Sequence, residues 1–318
     1  ASYRRQRQMC IRDRSKAEFQ EYGYRLVDWL AEYFDNVGQY EVLPSMEPGD
    51  IRNMLPVSAP ERAESMDEII ADLDRVVMPG MAHWQHPGWY AFFPSGASPV
   101  SALGEFVAAG LATQGMMWST APAATEIENT VLDWLVDLLG LPSSWRLDEG
   151  PGGGVIQMSA SDSTHLSLAV ARYQFELSGA DANSLVAYGS SQAHSSIEKG
   201  ARIAGFKHIR SVPVTQTFGI DADAFAQIVR DDIDSGLIPA WVCSAVGTTN
   251  TTAMDPIRAI ASIATKNGMW HHADAAYAGS AMICPEFREL QDGVELVDSY
   301  TFNPCLLYTS PSPRDSCA

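Results

Sequence analysis

Lysine is scarce in this chain. Only Lys16, Lys199, Lys207 and Lys266 occur in 318 residues, and Lys plus Arg number 21 against 39 Asp plus Glu. The formal net charge of −18 argues against nucleic-acid or anionic-membrane partners, which need a positive face. No apolar run reaches the length of about 18 residues that a membrane span requires. The basic start is not followed by an apolar stretch of the secretory kind. The five cysteines, Cys10, Cys243, Cys284, Cys305 and Cys317, include no Cys-x-x-Cys pair. That excludes a disulfide framework and a zinc site, and suits a reducing, cytoplasmic compartment. Gly152-Gly153-Gly154 is not followed by Gly-Lys-Ser/Thr, so a nucleoside triphosphate is not expected. No internal repeat is present.

The two ends differ from the middle. Residues 1–14 hold five of the 17 arginines, and residues 305–318 switch abruptly to Ser and Pro. Both read as non-native or disordered, and both are set aside from the fold. From Ala17 to Phe34 the residues Phe19, Tyr22, Leu26, Trp29, Leu30 and Phe34 fall at helical spacing, with Ser15 as cap. A Pro/Gly-rich connector (44–60) precedes a second helix over about Ser65–Val77, stopped by Pro79-Gly80. Residues 15–80 thus form a helical arm that needs another surface. The dense aromatics and prolines of residues 83–99, with Trp84 and Ser95 among them, make a rigid loop. It is a core plug or a substrate-pocket wall. Helices follow to Leu111 and over Pro122–Leu139.

Beyond Gly154 strands and helices alternate. Strands are predicted at Val155–Met158, Leu185–Tyr188, His208–Val212, Trp241–Val246, Met269–Asp274 and Ser299–Phe302. Helices are predicted at Asp162–Leu177, Ser195–Ala204, Asp223–Asp232 and Pro256–Lys266. This is an α/β pattern with a mostly parallel sheet.

The polar groups of interest sit at strand ends, where ligands of such sheets bind. The centre is Trp270-His271-His272-Ala273-Asp274-Ala275-Ala276. Alternation puts His272 and Asp274 on one face and His271 on the other. Only two ligands then share a face, which argues against a metal. A buried Asp274 suits a protonated pyridine nitrogen; it equally suits a loop cap or an Arg partner. Ser159-Ala160-Ser161 opens a helix and offers N–H groups to a phosphate, or simply an N-cap at Ser161. His194 suits a flat ring, proton transfer or a structural role. Gly247-Thr248-Thr249 offers hydroxyls, or a plain turn.

In order along the chain stand Ser159-Ala160-Ser161, Ala193-His194-Ser195-Ser196, Gly247-Thr248-Thr249, Asp274-Ala275-Ala276-Tyr277-Ala278-Gly279 and Phe302-Asn303-Pro304. His83-Trp84, Phe93-Pro94-Ser95, Thr125-Glu126-Ile127-Glu128 and Cys284-Pro285-Glu286-Phe287-Arg288 accompany them. In this the chain resembles the group II pyridoxal-phosphate amino acid decarboxylases, most of all the aromatic-L-amino-acid decarboxylases, from about Lys16 to Pro304. The resemblance implies a fold type I large domain over 81–304 and an arm over 15–80 exchanged within a homodimer. The small C-terminal domain is absent. The cofactor would be pyridoxal 5'-phosphate. Asp274 would pair with its ring nitrogen and His194 would stack on the ring. Ser159, Ala160, Ser161 and Asn303 would hold the phosphate, Thr249 would contact the cofactor, and Ala276 would pack beside it. Ser95 would face the substrate, with Trp84 and His194.

The implied reaction is decarboxylation of an aromatic L-amino acid to the amine and CO2. A relative acting on glutamate or histidine, or a non-catalytic lysine-less protein, remains the alternative. The family motif continues Asn-Pro-His-Lys, and that lysine carries the cofactor. Here Asn303-Pro304 is followed by Cys305-Leu306. The polypeptide as written is therefore expected to be an inactive fragment of a parent enzyme. Gln114 and Met116 stand at positions lining the aromatic pocket in the resembling enzymes, so the side chain accepted stays open. The Tyr that separates decarboxylases from aldehyde-forming relatives lies on a loop this sequence does not include.

Overall fold

The structure is a computed structural model, and it describes residues 15–59, 61–92 and 97–309. The chain divides into two compact units, one reaching to Val107 and one spanning Ala108–Tyr308.

The first unit opens with α1 (Lys16–Asn36), followed by the short α2 (Asp50–Met54) and by α3 (Met66–Asp72). Ser15 caps α1 as expected. Its Oγ accepts from Glu18 N at 3.2 Å while Ser15 N donates to Glu18 Oε2 at 2.8 Å, a reciprocal capping box. Ser65 and Glu68 repeat the device at α3. The helix expected to reach Val77 does not do so in one piece. It widens into a π-type turn at Leu73–Val77 and tightens at Met78–Gly80, where Pro79 breaks the ladder. Residues 83–92 form turns packed through rings. Tyr40 stacks on His83 at 4.8 Å and Trp84 on Trp89 at 4.7 Å. Helix α4 (Pro99–Leu111) carries the boundary between the units.

The second unit holds α5 (Pro122–Leu139), α6 (Ala160–Leu177) and a five-stranded sheet. The strands are β1 (Leu185–Ser190), β2 (His208–Val212), β3 (Ile238–Ala245), β4 (Trp270–Ala275) and β5 (Ser299–Phe302). All pairings are parallel, in the order β2-β1-β3-β4-β5. Helices α7 (Ser196–Ile203), α8 (Ala222–Asp234) and α9 (Ile257–Lys266) make the crossovers. A short α10 (Pro304–Thr309) follows β5. Parallel strands covered on both faces read as continuous apolar runs, and all six residues of β1 are buried. On one face Trp241 and Cys243 pack with Leu168, Ala171 and Ile197 from α6 and α7. On the other Tyr188 and Val242 meet Phe225, Val229 and Ile260 from α8 and α9.

The strand expected at Val155–Met158 is not formed. Its apolar residues stand exposed, Met158 at 95%, and Ile156 N donates to Glu128 Oε1 at 2.7 Å in place of a ladder bond. No strand among the described residues lies beside it. The segment after β4 was not expected to be helical, but it winds into three tight turns, Ala278–Ile283, Pro285–Gln291 and Val294–Leu296. They serve the end of α5. Arg288 Nη2 donates to Leu138 O and Gln291 Nε2 to Leu139 O, each at 2.9 Å, so two orphan helix carbonyls are satisfied.

From β1 the chain moves one way to β2 and the other way to β3, β4 and β5. The reversal leaves a crevice between the C-terminal ends of β1 and β3.

Candidate active site

The face assignment along β4 holds. Trp270 pairs with Trp241 and His272 with Cys243 across the ladder, and His272 stacks on Trp241 at 5.8 Å. His271 turns the other way and lies 2.8 Å from Ser244 Oγ through Nε2. Burial pushes His271 down to about 4 and His272 to about 3, so both are neutral near pH 7. Ser299 Oγ accepts the Trp270 Nε1 proton at 2.8 Å and lies 2.8 Å from His272 Nδ1. His272 Nε2 has no partner among the described residues.

Asp274 ends this face of β4. Its Oδ1 accepts from Ala276 N at 3.1 Å. Burial raises its carboxyl above the usual carboxylate range, and the charge of His194 opposes that rise. His194 stands on the connection from β1 to α7, at the C-terminal edge of the sheet. His194 Nδ1 accepts from Ser196 N at 3.2 Å and lies 2.9 Å from Ser196 Oγ. In the neutral ring the proton is then on Nε2, free to donate. Ser196 was not singled out from sequence; its signal was a hydroxyl two places after a histidine at a helix start.

Thr249 lies exposed on the turn after β3. Gly247 opens that turn at φ +85°, and a Cβ there would meet Tyr277 Cδ1 at 2.9 Å. Glycine is what lets the turn lie against the residues after Asp274.

Helix α6 leads into the start of β1, so it runs antiparallel to the strands. Its N-terminus therefore lies at their C-terminal edge. The N-cap is Ser159, not Ser161. Its Oγ accepts from Asp162 N at 3.2 Å and donates to Asp162 Oδ2 at 2.9 Å. By helix geometry the N–H groups of Ala160 and Ser161 are left without helical acceptors, which is the donor set a phosphate takes. Asn303 follows β5, and its Oδ1 accepts from Cys305 N at 3.0 Å.

The sheet edge thus gathers Ser159, Ala160, Ser161, His194, Thr249, Asp274, Ala276 and Asn303. Trp84 belongs to the first unit, where it stacks on Trp89 and Phe92. Ser95 lies outside the described residues.

Residues 48–310 match the model of the pyridoxal-dependent decarboxylase conserved domain. The chain belongs to that family. It is 43% identical over 293 residues to an aromatic-L-amino-acid decarboxylase of Catharanthus roseus, covering 90% of this chain and 58% of the relative. It is 41% identical over 292 residues to a phenylacetaldehyde synthase of Arabidopsis thaliana, covering 90% and 59%. The fold superposes on Catharanthus roseus tryptophan decarboxylase in complex with L-tryptophan with a TM-score of 0.87 and 41% identity, over 93% of this chain and 65% of that one. The chain spans about three fifths of the length of the curated relatives it matches. The fold type I expectation is met: the solved neighbours are decarboxylases of this α/β class.

The residues fit the family's cofactor. A desolvated carboxylate stands at the strand end with one backbone hydrogen bond. Small residues, Ala275, Ala276 and Ala278, follow it in the chain, and a helix start with open N–H groups lies on the same edge. Among the described residues no helix is long and apolar enough to cross a membrane.

Proposed function

We propose that the parent protein decarboxylates an aromatic L-amino acid to the amine and CO2 with pyridoxal 5'-phosphate. The observation that carries this is the half-buried Asp274 carboxylate at the C-terminal end of β4, on the same sheet edge as the His194 connection. The relatives' names, which include aromatic amino acid, tyrosine/DOPA and tyrosine decarboxylases, support the substrate class.

The bound cofactor supplies an electron sink for the electrons that remain when CO2 departs. The protein's part is orientation and electrostatics. Asp274 would accept a hydrogen bond from the protonated ring nitrogen, an acceptor made stronger by its low-dielectric setting. His194 would lie over the ring, its plane fixed by Ser196 on Nδ1. The Ala160 and Ser161 N–H groups bind phosphate, with Ser159 shaping the helix start and Asn303 beside it. Thr249 approaches from the β3 turn, and Ala276 keeps the ring's flank clear.

The lysine that carries the cofactor in the family has Leu306 in its place here, and we propose that this polypeptide is an inactive fragment for that reason. Helices α1 and α4 keep Phe19, Tyr24, Leu103 and Phe106 exposed, which supports an arm covered by a second copy in a homodimer. A cytoplasmic location is proposed from the five cysteines' scatter along the sequence without a Cys-x-x-Cys pair, which suits a reducing compartment.

The test is to express the gene product uninterrupted beyond Pro304 with pyridoxal phosphate, fix the cofactor with borohydride and map it. Label on a lysine just after Asn303-Pro304, with amine and CO2 formed from tyrosine, dopa, tryptophan or phenylalanine, is expected. Aldehyde and peroxide in place of amine would assign the protein to the aldehyde-forming relatives. A genuine gene with Cys305-Leu306 and no label would leave a non-catalytic role.

A further inference from the structure

Asp255 has no place in the roles above, although its carboxylate is 5% exposed and acts electrostatically with Asp274. Its Oδ2 accepts from Ala245 N and its Oδ1 from Ile220 N, both at 2.7 Å. Its own N–H donates to Ala245 O at 2.9 Å. Asp255 therefore joins the last residue of β3, the strand-order neighbour of Asp274, to the connection ahead of α8.

Between Ala245 and Asp255 runs the turn that carries Thr249. Its base is an antiparallel bridge between Val246 and Met254. Thr248 N donates to Ala253 O at 3.0 Å, and Ala253 N donates to Thr248 Oγ1 at 3.1 Å. Thr252 sits at φ +55°, the left-handed region that a β-branched residue avoids, so the closures hold the turn against local strain. The same base reaches β4: Val246 N donates to Asp274 O at 2.9 Å, and Ala278 N to Val246 O at 3.2 Å.

We infer that Asp255 is a positioning residue of the cofactor site, fastening the Thr249 turn in register with Asp274. The inference rests on the cofactor reading proposed above and adds a residue to it. Two oxygens meeting two backbone N–H groups need a carboxylate. An amide of the same size offers one oxygen and turns an N–H2 toward the other N–H. Burial pushes the carboxyl up to about 6, so the fold keeps the charged form near neutral pH at a cost to stability.

The test uses pyridoxamine 5'-phosphate, which needs no lysine to bind, titrated into the chain by calorimetry. Asp255→Asn is compared with Asp232→Asn, which disturbs a buried carboxylate on α8, held by Tyr188 at 2.9 Å and Arg210 at 2.6 Å. Both variants are expected to melt earlier. Only Asp255→Asn is expected to weaken binding, by about tenfold or more, the scale seen for outer-shell partners of metal sites. Unchanged affinity in Asp255→Asn, or equal weakening in both variants, would overturn the inference. Absence of binding by the unaltered chain would remove the cofactor reading and the inference together. Should Asp255→Asn fail to fold, Thr248→Val decides. Weakened binding supports the fastened turn, and unchanged binding overturns it.

Discussion

The two units of this chain are held by different means. In the first, α1, α2, α3 and α4 contain no buried residue. They rest on capping boxes, stacked rings and surface pairs such as Arg25–Asp67, where each partner is about half exposed; such pairs contribute about 0–1 kcal/mol. In the second, every β1 residue is buried and Trp241, Tyr188 and Phe225 are enclosed. The lesson is about partners. The sheet of the second unit finds its apolar partners within its own strands and covering helices. The amphipathic arm of the first keeps Phe19 59% and Tyr24 66% exposed, as a surface made for another chain would.

Acid should break the comparison most strongly, because the buried imidazoles lie in the second unit. A histidine held neutral by burial binds protons more readily when unfolded. Its stabilisation is full above pH 6.5 and is lost as pH falls through that value towards the folded pKa. With His271 at about 4 and His272 at about 3, the loss sums to about 8 kcal/mol at about 1.4 kcal/mol per unit. Asp255, raised to about 6, works the other way. Its cost near neutrality is relieved as pH falls from about 6 to 4, returning about 3 kcal/mol. Asp274 and Asp298, also raised by burial, act in the same direction as Asp255, so the expected result between about pH 6.5 and 3 is a loss smaller than the histidines' share, read by denaturant titration at each pH. His271→Leu should flatten the curve.

Next in size, Trp241→Ala should cost the second unit about 3–5 kcal/mol through an unfilled cavity, measured by chemical unfolding. Asp274→Asn sharpens the contrast between stability and function inside that unit. Burial disfavours its charge, so thermal stability should hold or rise. Pyridoxamine phosphate affinity should fall about ten- to a hundredfold, the worth of a hydrogen bond to a charged group at about 1.5–3 kcal/mol. Smallest of all, Phe19→Ser should change the stability of the single chain by no more than about 0.5 kcal/mol, while shifting the uninterrupted protein towards monomer in sedimentation. A large loss in the monomer would show that the arm's apolar face is already satisfied within its own unit.

Most of the second unit was legible in the sequence, because a sheet covered on both faces prints its strands as apolar runs and its crevice as polar strand ends. His208–Val212 and Ser299–Phe302 match the strands residue for residue. Val155–Met158 carried the same pattern, but a strand exists only with a partner, and pattern does not say where the partner is. Ser159 rather than Ser161 caps α6, since the cap is set by which hydroxyl reaches the third N–H. Asp255 and Ser299 could not be read locally. Their bonds join residues 10 to 35 positions apart, and an isolated Asp or Ser carries no sign of such a partner.

The central claim is that Asp274 receives the ring nitrogen of a pyridoxal-type cofactor at the edge of this sheet. Calorimetric titration of the chain and of Asp274→Ala with pyridoxamine 5'-phosphate tests it most directly. One saturable site in the unaltered chain, weakened at least about tenfold in the variant, is the expected result. Equal affinities for the two proteins, or no saturable binding to either, would contradict it.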